Sequence, residues 1–503
     1  MFACRYFSIR IICISLLFTA TNFPPACAQY HYDFDSACRK AYQEIIQLKL
    51  NAGKTLLDAE KKAHPYNLIP YFLDNYIDFF TLFFNEDPAE YQRRKPWQDQ
   101  RLTLMKKGDS ESPFALYTRS VIYFQWAAVE IKFGDRWDAA WLFRRSFLLN
   151  KENLQRFSGF QPSLMLQGAM QVAAGTIPPG YQWLSGLLGI KGTIKDGMHM
   201  VEGVLGNSDP FAQLFHEEAA FYYLYLKFYI LNQREEVFEF IRSQQLDIRN
   251  NHLFAYLAAN LYLNNQQAAF TEQVIQKMNQ DPEYLDMPVW DLEIGYAKAD
   301  HLDPAAAFYL ERFLTRFKGK FFVKEVLQKL SWIYYLRGQP EKAAHARSRL
   351  LRMGNTETEA DKQAMKDAQA GRWPNALLLK ARLLNDGGYY HEALQLINGK
   401  TSSSFTGPAD QLEFAYRLGR VYDALNRKDE AIDVYLTTIR LGQHRREYYA
   451  ARAALQIGYI YESRGDKKTA ILFFQKVLDM KVHDYKNALD QKAKAAIERC
   501  GNE

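Results

Sequence analysis

Near the C-terminus the pattern Leu418-Gly419-x2-Tyr422, followed by Ala431 and Tyr435, returns as Ile457-Gly458-x2-Tyr461 followed by Ala470 and Phe474. A repeat of this kind fixes the architecture before any single residue does, because one helix pair cannot bury its apolar face without a stacked neighbour. In the unit from Glu413 to Arg440 the first helix carries Leu418, Gly419 and Tyr422, and Asn426-Arg427-Lys428-Asp429 makes the turn. The second helix carries Ala431, Ile432, Tyr435 and Ile439. Glycine or alanine where paired helices cross lets the backbones approach, and the ring four residues beyond alanine fills the space between successive pairs. Elsewhere apolar residues recur at i, i+3, i+4 and i+7 with short polar breaks, and no alternating strand pattern appears. The expected fold is an all-α solenoid of antiparallel helix pairs.

These residues resemble the tetratricopeptide-repeat (TPR) family, whose helix pairs follow a period near 34 residues. The two units match the family's leucine, glycine, tyrosine, alanine and phenylalanine positions, with Tyr435 standing for the last in the first unit. They depart from it at Thr438, where the family prefers alanine, in the missing terminal proline, and in a longer repeat spacing filled by His444-Arg445-Arg446-Glu447. Further units lie at Leu330-Ser331-x2-Tyr334 with Gly338 and Ala343, and at Ala381-x2-Leu384 with Gly388, Ala393 and Ile397. The resemblance is strong over 325–480 and implies a right-handed helical-repeat solenoid. It divides the chain into a divergent N-terminal helical-repeat region, 29–210, degenerate helix pairs over 211–320, and TPR repeats over 321–503. Residues 168–206, with Gly175, Pro178, Pro179, Gly180 and a run of further glycines, are faintly similar to a eukaryotic TPR subfamily with a glycine-rich helical hairpin, which implies fold only.

The N-terminus reads as an export signal. Arg5 and Arg10 precede the apolar run Ile11 to Phe18, and Ala26-Cys27-Ala28 supplies small residues at an A-x-A site, so residues 1–28 are expected to be removed after Ala28. The run is too short for a retained span, and Pro24-Pro25 before Cys27 fits a lipidation site badly. The mature chain is expected in the periplasm or associated with the outer membrane, with no transmembrane segment. Tyr66 to Phe84 is its most lipid-like stretch, but Asp74, Asn75 and Asp78 interrupt it and point to a buried helix. Cleavage leaves Cys38 and Cys500, which are too few for a disulfide framework or a metal cluster and are expected as free thiols.

No group of residues has the spacing of a catalytic or metal site. The sequence lacks a His-Glu-x-x-His helix, a glycine-rich phosphate loop and a Gly-x-Ser-x-Gly elbow, and its ten histidines are scattered. The reading is therefore of no enzyme, no cofactor and no metal. A formal charge of +6 spread over mixed-sign surface gives no nucleic-acid footprint. Binding is the better expectation, since stacked pairs build a concave wall from the first helix of each. The resemblance places ligand-facing positions in each unit, and these give Trp332, Tyr335, Arg382, Tyr416, Arg420, Arg452 and Tyr459 as candidate partner-binding residues. Tyr, Trp and Arg are enriched at interface hot spots, which suits an envelope protein or peptide as partner and a scaffold or adaptor as function. The lysine-asparagine set that clamps a C-terminal carboxylate in chaperone-binding TPR domains is missing, since Tyr416 and Arg420 stand in its place. The alternatives are an outer-membrane-associated glycan-binding protein of TPR architecture and, further off, a helical cell-wall hydrolase.

Overall fold

The computed structural model describes residues 29–175, 193–243 and 245–501, so the export signal and most of the glycine-rich segment lie outside the described residues. Twenty-five α-helices occur among them, and the β structure is one isolated bridge between His31 and Asn67. The N-terminal helices are α1 (Ser36–Ile46), α2 (Leu50–Ala63), α3 (Ile69–Asn85), α4 (Pro88–Met105), α5 (Pro113–Phe133), α6 (Arg136–Arg156), α7 (Gln161–Gly175) and α8 (Ile194–Leu205). Next come α9 (Pro210–Leu214), α10 (His216–Leu226), α11 (Arg234–Ser243), α12 (His252–Asn264), α13 (Ala268–Lys277), α14 (Val289–Asp300), α15 (Ala306–Arg316), α16 (Val323–Leu336) and α17 (Pro340–Arg352). The chain continues with α18 (Glu359–Gln369), α19 (Ala376–Gly387), α20 (Tyr390–Ile397), α21 (Pro408–Ala424), α22 (Lys428–Gly442), α23 (Tyr449–Ser463), α24 (Lys467–Asp479) and α25 (Lys486–Gly501). Consecutive helices pack as antiparallel pairs stacked along the chain, with α25 against the last pair. The protein is an all-α helical-repeat solenoid.

The repeat residues do the work their sizes imply. A Cβ on Gly419 would lie 2.6 Å from the Tyr435 ring, and one on Gly458 would lie 2.3 Å from the Phe474 ring. Both rings are fully buried. Each aromatic edge thus rests on the bare backbone of the facing helix, which only glycine leaves open. Ala431 and Ala470 are fully buried between the paired helices. Thr438 is also buried, and its hydroxyl donates to the Val434 carbonyl 2.9 Å away, so the departure from alanine leaves no polar atom unsatisfied. Within each of these pairs the turn places one residue in the left-handed region: Gly338, Gly388, Asn426 and Gly465. Glycine and asparagine tolerate that conformation best.

The helix spanning the lipid-like stretch, α3, is buried in protein through its polar residues. Asn75 donates to Gln125 at 2.7 Å and accepts from the Trp126 indole at 2.9 Å, while Asp78, 2% exposed, pairs with Arg94 and Arg101. A large aromatic core surrounds it, and Glu218, fully enclosed, accepts from Tyr42 at 2.7 Å, Tyr76 at 3.1 Å and Tyr222 at 3.2 Å. Among the described residues no helix is long and apolar enough to cross a membrane. Cys38 and Cys500 are buried free thiols. In the described part of the glycine-rich segment, Gly168 of α7 and Gly197 of α8 bring their helices together so closely that a Cβ on either would meet the other's carbonyl oxygen at 2.6 Å.

The solenoid winds tightly enough for distant helices to meet. Lys366 pairs with Asp484 at 2.7 Å, Arg136 pairs with Glu357, and the Lys320 amide donates to Glu86 at 3.3 Å. The inner wall therefore encloses a lumen, whose shape depends on partners more than a hundred residues apart.

Candidate functional site

Two chambers occupy this lumen. The first, about 470 Å³, is lined by side chains from α11, α19, α21, α23 and α25. Its cations are Arg234, Arg382, Arg417, Arg420, Arg452 and Lys492, against one lining carboxylate, Asp386. Arg382 and Asp386 lie one helical turn apart, with nitrogen and oxygen 3.5 Å from each other. Arg417 is buried and held by Glu413 at 2.9 Å, a turn earlier on α21. Arg420 donates to the Gln266 side-chain Oε1 at 3.5 Å, and Arg234 bonds to asparagine oxygens. Among the described residues no carboxylate pairs with Arg234, Arg420, Arg452 or Lys492. These groups feel one another. Burial and then Arg452 hold the Arg234 guanidinium below its ordinary range, and burial followed by Arg452 and Arg234 does the same to the Lys492 ammonium. Three tyrosines, Tyr416, Tyr448 and Tyr485, form one edge of the chamber, with Tyr449 packed behind them. Tyr416 packs on Tyr448 at 5.9 Å and on Tyr449 at 5.0 Å, and Tyr448 meets Tyr485 edge-on at 5.2 Å.

The second chamber, about 340 Å³, is built from α3, α12, α14 and α16. Glu293, 3% exposed, accepts from Asn260 at 2.8 Å through one oxygen, while the other has no hydrogen-bond partner. Burial, opposed by the Asn260 bond and reinforced by Glu325, pushes the Glu293 carboxyl up to about 7. Burial likewise raises Glu325 and Asp300, the latter despite Lys329 at 2.9 Å. Phe83, Phe84, Tyr256 and Phe322 supply the apolar wall.

Asn264, Gln266 and Asp386 line both chambers, so the two meet at one threshold. Gln266, in the left-handed region at φ 57°, turns the α12–α13 loop into the lumen. Its side-chain amide donates to the Asn385 carbonyl at 2.9 Å, and its backbone carbonyl lies 2.0 Å from where a Cβ on Gly388 would stand. Asn385, 2% exposed, lines the first chamber, and its buried Oδ1 accepts no hydrogen bond among the described residues.

Of the residues singled out from sequence, Arg382, Tyr416, Arg420 and Arg452 line the first chamber together. Trp332 does not. It is 7% exposed and packs with Leu379 and Leu383 beneath the Arg382 guanidinium, which stands 5.0 Å above its ring. Tyr335 stacks on Trp373 at 5.0 Å, and the Arg347 guanidinium lies 3.4 Å from the centroid of that indole. Tyr459 packs edge-on against Phe474 at 5.4 Å. The buried acid Glu293 and the cations Arg234 and Lys492 were not among the candidates. Outside the lumen, ligand atoms of Asp35, Glu60 and His64 lie within 4.8 Å of one another, but His64 already bonds Glu60 at 2.7 Å and Asp35 caps α1.

Residues 415–447 match the tetratricopeptide repeat family. No curated protein matches the chain in sequence. Among solved structures the chain is similar to the APC/C hetero-tetramer Cut9-Hcn1, with 10% identity and a TM-score of 0.28 over 92% of this chain and 95% of that one. It is also similar to the P58(IPK) TPR domain, with 13% identity and a TM-score of 0.23 over 82% of this chain and 95% of that one.

Proposed function

We propose that this chain, a protein of tetratricopeptide repeats, is a non-catalytic interaction scaffold that holds a peptide or protein segment inside its solenoid. The observation that supports this reading is the first chamber, where guanidinium groups and tyrosine rings from four helices and the loops beside them face one space. Arginine and tyrosine anchor interfaces because each offers large contact area with a polar tip. The candidate export signal over residues 1–28 supports a role in the cell envelope, with the partner an envelope protein or peptide. A photo-crosslinking residue placed at Lys492, on the exposed rim of the chamber, is expected to trap a polypeptide from envelope extract. The same residue at Leu472, 64% exposed on α24, is the control. Adducts at Leu472 alone, or equally at both positions, count against lumenal capture.

A second reading, glycan capture, draws on Trp137 and Trp141, which stand one turn apart on α6 at 60% and 46% exposure. Exposed indoles at this spacing can stack on sugar rings. Retardation on polysaccharide gels that disappears in Trp137→Ala with Trp141→Ala would favour it.

A further inference from the structure

We infer that the first chamber is selective for an acidic, extended peptide segment, whose carboxylates meet Arg420, Arg452, Arg234 and Lys492 and whose backbone pairs with Asn385; this rests on the peptide-binding reading above. Four cations without a carboxylate partner face one cavity, and two of them, Arg234 and Lys492, lie on helices far apart in the chain. Gathering like charges in a partly enclosed space is unfavourable, and an anion entering it relieves every pair at once. Guanidinium groups also bind carboxylates through two parallel hydrogen bonds, a geometry that a single point charge lacks.

Asn385 separates a peptide from a simple anion. Asn385 lines the chamber, and its buried side-chain carbonyl oxygen accepts no hydrogen bond among the described residues. An ionised carboxylate has no proton to give it, and a phosphate near neutral pH has at most one, whereas an extended peptide presents N–H and C=O side by side. A primary amide can accept from a backbone N–H and donate to the neighbouring C=O, so it matches a passing peptide group. Leaving such a group unpaired in a buried place is costly, which favours an occupant that supplies both partners. The tyrosine edge formed by Tyr416, Tyr448 and Tyr485 adds an apolar strip beside the cations. The occupant is therefore acidic, amide-bearing and long enough to run from the arginines to Asn385.

The test is selection of a random dodecapeptide library on the full chain, followed by fluorescence anisotropy on the winning peptide. Enrichment in Asp and Glu is expected, with affinity that falls as salt rises. Arg420→Gln and Arg452→Gln should each weaken that peptide roughly tenfold, and Arg452→Gln should do so without lowering the melting temperature, since it removes a charge that repels Arg234 and Lys492 in the free protein. Asn385→Leu should weaken the peptide but leave the weak competition by inorganic pyrophosphate unchanged. Selection of apolar or basic peptides would overturn the inference and leave the scaffold reading standing. Failure to select any peptide would overturn both. Pyrophosphate that binds as tightly as the acidic peptide, with no effect of Asn385→Leu, would make the chamber a simple anion site and also overturn it.

Discussion

Gly458→Ala should destabilise the last repeats, although alanine is the better helix former. Gly458 lies inside α23, and exchanging a helical glycine for alanine ordinarily gains about 1 kcal/mol. Here the new methyl would stand 2.3 Å from Cε1 and 2.6 Å from Cδ1 of Phe474, whereas carbon atoms rest comfortably at about 3.5–4.0 Å. The ring is fully buried and must shift by more than an ångström into packed neighbours. Overpacking of that kind costs about 1–3 kcal/mol. Gly203, inside α8, is the control, because a Cβ there meets nothing within 4 Å. Gly203→Ala should gain its full helical benefit, so the two identical exchanges should differ by about 2 kcal/mol. Hydrogen exchange read on fragments covering 449–479 and 194–205 measures each locally, which a global unfolding curve of a repeat protein does not. A discrepancy of 2 kcal/mol appears as a roughly thirtyfold difference in exchange. Phe474→Leu added to Gly458→Ala should recover part of the loss by vacating the contested space. Equal protection from both alanines, with additive behaviour of the double variant, would refute the interlocking of ring and glycine on which the repeat rests.

Glu293→Gln should change how stability depends on pH. The Glu293 carboxyl sits at about 7 in the folded chain against its usual 4.5, so the folded state keeps a proton that the unfolded chain releases. Its stability contribution is full below pH 4.5 and is lost as pH rises through 7, a loss of about 3 kcal/mol at 1.36 kcal/mol per unit. The glutamine variant, measured by urea denaturation, should match the parent near pH 4.5 and exceed it above pH 8. Asp78→Ala should cost about 3–5 kcal/mol by leaving Arg94 and Arg101 without their shared buried partner, read as a lower melting temperature. N-terminal sequencing of the protein recovered from the envelope fraction should begin at Gln29, and a chain beginning at Met1 would count against export.

The fold was legible because its determinants are local. Gly419 with Tyr435 and Gly458 with Phe474 are each one turn-linked helix pair, so the steric partnership can be read within a single repeat. Polarity made α3 legible too, since Asn75 and Asp78 had to find partners somewhere in protein. The lumen was only half legible. Repeat register carried Arg382, Tyr416, Arg420 and Arg452 to one wall, yet register knows nothing of the apolar room beneath that wall, and Trp332 sinks into it against Leu379 and Leu383. The opposite wall depends on winding. Arg234 comes from a region where repeat resemblance is weak, Lys492 from the helix beyond the last pair, and Gln266 from a loop in the left-handed region without glycine. No pattern within one repeat announces such contacts.

The two chambers show what that winding achieves. Buried acids on α14 and α16 and unpaired cations on α21, α23 and α25 open into one lumen, and charges of opposite sign in a single space would ordinarily collapse into ion pairs. The threshold works against that collapse. Gln266 is fastened to Asn385 and seated against Gly388, so a neutral amide stands where the acidic and basic walls meet. Asp386, lining both chambers, stands 3.5 Å from Arg382, and its charge also acts on Arg417, Arg420 and Lys329. The acidic wall thus sheds charge, its carboxyls pushed toward protonation, while on the basic wall burial and Arg452 hold the Arg234 guanidinium below its ordinary range. Natural chains relieve such conflicts where nothing depends on them, and the conflict left on the basic wall is what the proposed acidic peptide would relieve.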